Sequence, residues 1–420
     1  MKICIVGAGI IGVTTAHALA RRGHEVTILD AAQGPALGTS HANGGQLSYS
    51  YVAPLADASI WKNIPAYLFG SNSPLTLRPT LDLAQWTWLL RFLRACNSRQ
   101  SARTTKLLLD LAFYSRECLA AVMDELPLDF DFRTAGKLVM LPSPNAMRSA
   151  ERQVKYQAGF GCEQHMLNVD ECVAVEPALE ASRQRWAGGV YTPSEQVGDC
   201  AAFCEQLAHQ SSIRYGGLSF IGNATVTGAI VKQGKVSALL TSAGEIGADA
   251  FVMANGANAA RLASAMGFHL PVYPLKGYSI TFDTARTDEI PAVSVTDLAK
   301  KIVYARLGSR LRVAGRLEIV GHHLQVDRRR IRALAGEAHA LFPALQAETP
   351  MQTGWAGARP ATPSGLPFIG ASPLANLYLN TGHGALGWTL ACGSAELLAS
   401  LICGERPYID AAPFAYNEPH

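Results

Sequence analysis

Residues 3–12, Ile-Cys-Ile-Val-Gly-Ala-Gly-Ile-Ile-Gly, join a short apolar run to the pattern Gly-x-Gly-x-x-Gly. The apolar run predicts a buried parallel strand, and residues 10–22, which are rich in alanine and threonine, predict the helix that follows it. Glu25–Leu29 predicts the next strand, which ends at an acidic residue, Asp30, about 20 residues beyond the glycines. Together these features predict one compact βαβ unit.

The three glycines have separate roles in such a unit. Gly7 would permit a tight turn, Gly9 would let the backbone approach a pyrophosphate, and Gly12 would let helix and strand pack closely. The helix N-terminus would offer free N–H groups to the anion, and Asp30 would accept a ribose hydroxyl. The candidate dinucleotide-binding residues are Gly7, Gly9, Ile10, Ile11, Gly12 and Asp30. The alternative is a βα turn whose glycines serve packing alone.

A second Gly-x-Gly-x-x-Gly pattern occupies residues 382–387, again between a predicted strand and a predicted helix. That helix runs towards the end of the sequence, so a second complete βαβ unit is not expected there. Its N-terminus could still stabilise negative charge, such as the charge that develops on a reduced flavin ring. With one complete nucleotide site, the substrate itself is expected to be the hydride donor, which favours FAD over NAD.

Composition excludes several classes of function. Hydrophobic residues make up 49% of the 420 residues and charged residues 16%, and the formal net charge is +3, so neither a disordered tail nor a nucleic-acid surface is indicated. The nine cysteines include no C-x-x-C pair, so we expect no metal site and no disulfide framework. Their usage fits a reducing, cytoplasmic environment, and no run of about 18 apolar residues predicts a membrane span.

The order of elements predicts two domains, one of them assembled from discontinuous segments. Further helices are predicted at residues 101–125, 145–158, 199–210 and 327–341. Further strands are predicted at 136–141, 225–230, 236–241, 250–254, 278–282, 301–305 and 311–314. We assign residues 1–55, 150–270 and 350–420 to an α/β, Rossmann-like nucleotide domain. Residues 56–149 and 271–349 are assigned to an α+β substrate domain with an antiparallel sheet.

Six stretches resemble the D-amino acid dehydrogenase family, within the amine-oxidising flavoproteins that include D-amino acid oxidase, glycine oxidase and sarcosine oxidase. They are GAGIIG with Asp30, GTSHANGGQLSYSYVAP, GGVYTPSEQVGDC, PVYPLKGYS, GWAGARPATPSGLPFIG and LNTGHGALGWTLACGS. They follow one another in the family's order over nearly the whole chain. The resemblance implies a two-domain flavoprotein, and we expect its FAD to be non-covalent because no cysteine stands at a recognised attachment position.

The resemblance also implies which residues contact FAD. It places Ser40, Asn43, Gly45 and Gln46 beside the isoalloxazine ring, and Val226, Ala254 and Gly256 against the adenosine half. The residues implied at the pyrimidine side of the flavin are Gly384, Leu386, Gly387, Trp388 and Thr389, in agreement with the helix N-terminus noted above. The alternatives are a polar loop that solvates itself at 40–46 and a glycine-rich packing connection at 382–387.

Arg359, in the stretch GARPATPSG, matches the position where these flavoproteins place an arginine on the substrate carboxylate. A guanidinium can hold a carboxylate through two parallel hydrogen bonds. Tyr278, Tyr304 and Arg306 are candidates for a second carboxylate contact, although each could equally be an ordinary strand residue. The implied reaction is hydride transfer from the Cα of a D-amino acid with a neutral amine to flavin N5. Water then hydrolyses the imino acid to a 2-oxo acid and ammonia, and small apolar substrates such as D-alanine are favoured.

Segment 60–93 mixes tryptophans and aliphatic residues with the basic residues Lys62, Arg78, Arg91 and, directly after it, Arg94. Such mixtures suit a membrane interface, and the resemblance implies a quinone-type membrane acceptor for the electrons. We therefore expect peripheral contact with the inner face of a bacterial cell membrane. A buried lid or subdomain contact is the alternative.

Other functions stay open at this stage. A glycine or secondary-amine oxidase would pass its electrons to dioxygen, and a D-proline or hydroxyproline enzyme would share the architecture. A non-enzymatic FAD-binding protein would lack a substrate arginine over the flavin. The sequence does not predict the oligomeric state, the preferred side chain, the acceptor, or roles for His41, His322 and His323.

Overall fold

The computed structural model describes residues 1–61, 64, 75–284, 290–345 and 354–417. Its strands, in chain order, are β1 (Lys2–Val6), β2 (Glu25–Leu29), β3 (Gln46–Leu47), β4 (Leu75–Leu77), β5 (Lys137–Leu141), β6 (His165–Leu167), β7 (Gly188–Thr192), β8 (Gln196–Val197), β9 (Leu218–Ile221), β10 (Val226–Lys232), β11 (Lys235–Thr241), β12 (Gly244–Ile246), β13 (Ala250–Met253), β14 (Tyr273–Asp283), β15 (Ser294–Asp297), β16 (Ile302–Leu307), β17 (Arg310–Ile319), β18 (Trp355–Ala361), β19 (Phe368–Ala371) and β20 (Leu377–Thr381). Its helices are α1 (Ile10–Arg21), α2 (Leu83–Ala95), α3 (Ser98–Glu125), α4 (Pro144–Ala158), α5 (Val169–Val175), α6 (Cys200–Tyr215), α7 (Ala259–Ala265), α8 (Arg328–Leu341) and α9 (Gly387–Cys403).

The first large sheet has the strand order β19-β20-β13-β1-β2-β9 within the described residues. Its neighbouring strands run parallel except at the β19–β20 edge. The central strands are buried on both faces, which explains why residues 3–6 and 250–253 are apolar without alternation. The βαβ unit predicted from the glycine pattern is confirmed as β1–α1–β2.

Helices cover both faces of this sheet. Helices α1, α3, α6 and α9 form one apolar cluster on one face. On the other face, α7 and the small sheet β10-β11-β12 pack over Cys4, Phe251 and Met253. The carboxyl ends of β1, β2 and β13 lie together at one edge, which is where ligands bind in open α/β sheets.

Helix α9 lies at the centre of the first cluster. The segment Gly384–Cys403 is long and apolar enough to cross a membrane, yet 72% of its most apolar part is buried within the protein. It packs between α1 and α3, and a Cβ atom on Gly393 would lie 2.9 Å from the backbone nitrogen of Ser115 in α3. Its hydrophobicity is therefore explained by burial among other helices.

The second large sheet has the order β18-β14-β17-β16-β15-β5-β7-β6, with β4 paired to β17, among the residues described. Most of its pairs are antiparallel, and β15–β5 and β17–β4 are parallel. Side chains alternate between its two faces. One face, with Tyr278, Ile280 and Val313, packs against α8. The opposite face is turned towards the loop that follows β2, as described below.

Helix α2 covers one end of that opposite face. Asp82 caps its N-terminus by accepting a hydrogen bond of 2.9 Å from the Ala84 amide. Trp88 and Phe92 stack with ring centroids 5.1 Å apart and pack in a cluster with Tyr273 of β14. This helix and β4 were not predicted from the sequence, because the prolines of residues 54–79 obscure the pattern.

The topology departs from the predicted domain boundaries at two places. Strands β6 and β7 fall within residues 150–270, which were assigned to the nucleotide domain, but they join the second sheet. Helix α3 falls within 56–149, which was assigned to the substrate domain, but it packs in the cluster of the first sheet. Local periodicity predicts that a segment is a strand or a helix, but it does not indicate which sheet that segment joins or packs against. The domain to which these segments belong could therefore not be predicted from the pattern.

The close contact between α9 and α3 gives a stability prediction. Gly393→Ala is expected to lower the free energy of unfolding by about 1–3 kcal/mol, because the added carbon meets backbone atoms that cannot move aside. Gly336→Ala in α8 is the matched control: no atom lies within 4 Å of its added carbon, and we expect a gain of roughly 0.5–1 kcal/mol from helix propensity. Urea midpoints of the two purified variants measure the difference, and equal midpoints would contradict the packing.

Candidate active site

The turn after β1 is closed by backbone atoms that leave no room for side chains. Gly7 has a φ of +107°, and a Cβ there would lie 2.6 Å from the carbonyl oxygen of Ala254. A Cβ on Gly12 would lie 1.8 Å from the carbonyl oxygen of Gly7. The predicted roles of these two glycines in a tight turn and in close packing therefore have a direct steric basis.

The N-terminus of α1 offers N–H groups to a ligand. Gly9 precedes the helix and supplies no side-chain cap. The Ile10 amide donates 2.9 Å to Ser40 Oγ, so the amides of Ile11 and Gly12 are the first-turn donors left for an anion. This donor set fits a pyrophosphate. Ser40, which was predicted beside the isoalloxazine ring, lies at this helix terminus.

Asp30 lies at the end of β2, where a ribose-binding acid was predicted. Its Oδ2 accepts from the Ala8 amide at 2.7 Å and its Oδ1 from the Ala32 amide at 2.8 Å. Each carboxylate oxygen has a further lone pair, so a ribose hydroxyl can still be accepted. Asp30 thus fixes the glycine turn as well as standing at the predicted ribose position.

The three residues predicted near adenosine lie around the same sheet edge. Val226 begins β10 and packs against the cluster that contains Val6 and Leu29. Ala254 directly follows β13, and Gly256 follows with a φ of +57°. Between them, Asn255 carries a buried Oδ1 without a hydrogen-bond partner among the described residues. An orphaned buried acceptor here suits a ligand that brings its own donors.

Residues 39–48, called the bridging loop, contact the N-terminus of α1 and also the second sheet. Ser279 Oγ donates 2.6 Å to the Ala42 carbonyl, and Arg312 Nη1 donates 2.8 Å to the Asn43 carbonyl. Asn43 Oδ1 in turn accepts from the Gly45 amide at 2.9 Å. The loop is therefore held by side chains of β14 and β17, although neither residue carried a signal in the sequence.

The bridging loop also reaches the N-terminus of α9. The Ser48 amide donates 3.1 Å to Thr389 Oγ1 in the first turn of that helix. Leu386 supplies no side-chain cap, so backbone amides at this terminus stay available to a ligand. Trp388 points away from it, because its ring packs on Phe203 and its Nε1 donates to a backbone carbonyl in the core. Trp388 was predicted at the pyrimidine side of the flavin, and only its backbone is available to contact a ligand there.

Arg359 lies on the face of the second sheet that the bridging loop covers. It pairs with Leu275 across β14–β18, and its guanidinium lies over Gly277, where a Cβ would come within 2.9 Å of Nη2. Thr39 Oγ1 donates 2.7 Å to the carbonyl of the preceding residue, Ala358, and so joins the loop to this strand. The bridging loop therefore contacts both the strand that carries Arg359 and the first turn of α9.

The Arg359 guanidinium makes no hydrogen bond or ion pair with any described residue. Desolvation by the surrounding protein lowers its pKa from the usual value, which marks a charge that lacks compensation. A partly buried cation of this kind is stabilised when a carboxylate binds to it. The position therefore suits an anionic group of a small ligand.

The structure does not bring the three other carboxylate candidates to Arg359. Tyr278 lies on the opposite face of β14, where its hydroxyl donates 2.7 Å to Glu318 Oε2. Tyr304 is buried on that same opposite face against Phe342. Arg306 shares the face of Tyr304, two residues along β16, and its Nε donates to the Gly308 carbonyl. Strand periodicity predicted these residues to be in a sheet, but the face depends on register.

Two buried charged residues near the bridging loop were missed by the sequence reasoning. Lys137 at the start of β5 donates to Gln46 Oε1 and Ser48 Oγ, and Glu195 accepts from the Ser50 amide. Glu195 lies within the stretch GGVYTPSEQVGDC and Lys137 within the strand predicted at residues 136–141, and no role was predicted for either residue. Burial is what distinguishes Lys137 from an ordinary strand lysine, and burial is visible only in the three-dimensional structure.

Comparison with known proteins identifies the relatives of this chain. The profile of the DAO family, FAD dependent oxidoreductase, matches residues 2–401. A D-amino acid dehydrogenase 2 of Ralstonia nicotianae is 48% identical, with 99% of each chain covered. A D-amino acid dehydrogenase of Allorhizobium ampelinum is 40% identical, with 99% of this chain and 98% of the relative covered. The resemblance inferred from the motifs is confirmed by these matches.

Solved structures share the fold. Glycine oxidase from Geobacillus kaustophilus superposes with a TM-score of 0.78 at 22% identity, covering 100% of this chain and 99% of that one. L-proline dehydrogenase from P. horikoshii gives a TM-score of 0.77 at 18% identity, covering 99% and 96%. At these identities the similarity establishes the two-domain architecture but does not indicate the substrate.

The steric contact at Gly12 gives a prediction for the cofactor. Gly12→Ala is expected to yield protein without bound FAD, because a carbon 1.8 Å from the Gly7 oxygen forces the pyrophosphate turn open. Gly247→Ala is the control, since its nearest atom would lie 3.6 Å away. The ratio of flavin to protein absorbance after purification reports the result. A Gly12→Ala protein as yellow as the control would exclude the proposed turn.

Proposed function

This chain belongs to the DAO family of FAD-dependent oxidoreductases, and we propose from that membership that it oxidatively deaminates D-amino acids. It is an FAD-dependent enzyme with a small-molecule amino acid as its substrate. The observation that carries the proposal is Arg359, whose guanidinium has no hydrogen-bond partner among the described residues on the face covered by the bridging loop. A D-amino acid supplies the missing carboxylate.

FAD, when bound, would accept the hydride from the substrate Cα, and with it the two electrons of the oxidation. The residues of the chain contribute orientation: Arg359 holds the carboxylate with two hydrogen bonds, and so limits how Cα can lie against the ring. The amine is neutral when the hydride leaves, and no side chain is assigned as a base. The released imino acid adds water and yields a 2-oxo acid and ammonia.

The neighbours of Arg359 support a small substrate side chain. Gly357 lies on the same face two residues earlier, and the Trp355 ring fills the space above it, with Cη2 only 1.9 Å from an added Cβ position. Leu275, directly opposite Arg359, is buried in the α2 cluster. These groups narrow the space beside the carboxylate site, which favours D-alanine over substrates with large side chains.

The acceptor is proposed to be a quinone at a membrane surface. Leu81, Leu83, Trp86 and Leu90 are 102%, 81%, 44% and 58% exposed, and they form an apolar surface on α2 and its entry. Arg94, in the last turn of the helix, is exposed beside this surface. Apolar side chains next to arginines suit an interface of anionic lipids. Lys62, which was predicted to contribute, lies outside the described residues.

The second candidate function is an oxidase of the same family that uses dioxygen, as the name glycine oxidase of a structural relative implies for that protein. The exposed apolar surface of α2 favours the membrane acceptor over dioxygen, which needs no docking surface. Anaerobic turnover with a quinone analogue distinguishes the two: a dehydrogenase continues to produce 2-oxo acid when dioxygen is removed, whereas an oxidase stops after one turnover.

Two substitutions test the arginine. Arg359→Leu is expected to raise KM for D-alanine by roughly a hundredfold or more, because about 3 kcal/mol of charge-assisted hydrogen bonding is lost, while FAD stays bound. Gly277→Ala keeps the charge but displaces the guanidinium, so KM should rise with little change in stability. Arg306→Leu, on the opposite face, is the control. Anaerobic bleaching of the flavin by D-alanine gives the affinities. An unchanged KM in Arg359→Leu would refute the assignment.

The membrane surface has its own test. Leu83→Glu combined with Trp86→Glu is expected to abolish sedimentation with vesicles that contain phosphatidylglycerol, because two carboxylates would have to enter an anionic interface. Ile213→Glu is the control, since Ile213 is 67% exposed on α6, away from this surface. Reduction of vesicle-embedded quinone by D-alanine should fall in parallel. If the wild-type protein does not sediment with the vesicles, the membrane proposal fails while the D-amino acid proposal stands.

A further inference from the structure

Lys137 is a fully buried amine beside the bridging loop. It is 5% exposed, and its Nζ donates to Gln46 Oε1 at 2.9 Å and to Ser48 Oγ at 2.8 Å. The ammonium also lies 4.7 Å from the centroid of the Tyr51 ring. Gln46 Nε2 donates in turn to Ser294 Oγ, so the orientation of the amide is fixed. Burial of this kind is unfavourable for a lysine and calls for an explanation.

Glu195 opposes that charge from the turn between β7 and β8. It is 1% exposed, its Oε1 accepts 2.7 Å from the Ser50 amide, and its Oε2 is buried without a hydrogen-bond partner among the described residues. Its charge favours the protonated form of Lys137. The two buried side chains therefore interact electrostatically behind the bridging loop.

A short hydrogen-bonded path joins Lys137 to the flavin side of the site. Lys137 donates to Ser48, and the Ser48 amide donates to Thr389 Oγ1 in the first turn of α9. That terminus is the part of the chain expected at the pyrimidine side of the flavin. Lys137 thus adds a full positive charge to the side on which the helix N-terminus already places partial positive charge.

We propose that Lys137 is a positioning residue that raises the reduction potential of the bound flavin, and that Glu195 counteracts it. Transfer of a hydride adds two electrons and one proton to the flavin, so the ring gains one negative charge. A buried cation within reach of the ring stabilises that charge more than water would. The proposal rests on FAD binding and is independent of which amino acid is oxidised.

Lys137 changes its protonation state at a pH close to neutral. Burial lowers its pKa to about 8, and Glu195 acts against this shift. Among described residues, the titratable groups that face it are Glu195 and Tyr51, and burial raises the pKa of both. Because a lysine with a lowered pKa is charged below that value and neutral above it, the effect on the flavin should be present at pH 7 and fade as pH rises through about 8.

The test measures the flavin itself in FAD-loaded protein. Sulfite adds to oxidised flavin and leaves negative charge on the ring, so its dissociation constant reports the same stabilisation without turnover. Lys137→Met is expected to weaken sulfite binding about tenfold or more and to lower the midpoint potential, while Lys137→Arg retains most of both. Lys276→Met is the matched control: Lys276 is also 5% exposed, but its Nζ donates to the Gln325 carbonyl on the opposite face of the sheet.

Glu195→Gln separates charge from loop geometry. If the charges act on the flavin, this variant binds sulfite at pH 6 as tightly as the wild type or more tightly, the opposite of Lys137→Met. The comparison is made at pH 6, well below the Lys137 pKa of about 8, because loss of Glu195 lowers that pKa further and the lysine has to stay protonated. If the residues merely hold the bridging loop, both variants weaken sulfite binding together, and the proposal is wrong. Should Lys137→Met fail to retain FAD, the comparison of Glu195→Gln with wild type still decides the sign.

The pH dependence gives an independent readout. The difference in midpoint potential between wild type and Lys137→Met is expected to shrink as pH rises above about 8, since wild-type Lys137 then becomes neutral. A difference that stays constant to high pH, or an unchanged potential in Lys137→Met at pH 7, would overturn the proposal. Neither outcome bears on the D-amino acid assignment, because no substrate is present.

Discussion

The hydrogen bonds that fix the bridging loop between two sheets are the constraint on which the site depends. Its N-terminal part accepts the Ile10 amide through Ser40, and its middle is held by Ser279 and Arg312 of the second sheet. A polar loop has little apolar surface of its own to bury, so its conformation follows from where its backbone groups find partners. Neither domain can shape this part of the site alone. The discontinuous order of segments along the chain is consistent with that mutual dependence.

The buried and partly buried cations on this side of the second sheet have different partners, and this difference distinguishes cations that support the loop from a cation that can bind a ligand. Arg312 is satisfied by Thr281 and by the Asn43 carbonyl, and Lys137 by an amide oxygen and a hydroxyl. Arg359 has no such partner among the described residues. Leaving a partly buried charge without a partner is unfavourable, so an arrangement that optimised stability alone would have paired it. That departure from local optimality is typical of a functional site.

Much of the nucleotide domain could be predicted, because its binding residues are close together in the sequence. The glycine turn, α1 and Asp30 depend on residues within one βαβ unit, and Gly7 and Gly12 follow from steric contacts inside it. The substrate half was harder. Tyr278 and Arg359 lie on neighbouring strands and differ only in the face they occupy, which register across β14–β18 determines. Sequence alternation cannot fix register between strands about 80 residues apart, since slipping by one residue exchanges the two faces.

The burial of Lys137 could likewise not be predicted from the sequence. Its strand was predicted, but a lysine at the start of a strand is ordinarily solvated, and only the packing of β5 beside the bridging loop buries it. Helix α2 extends this dependence to the surface. Its inner face packs on Tyr273 and Leu275, and Leu275 pairs directly with Arg359. Its outer face carries the exposed leucines. One helix therefore connects the surface proposed for the acceptor with the strands proposed to position the substrate.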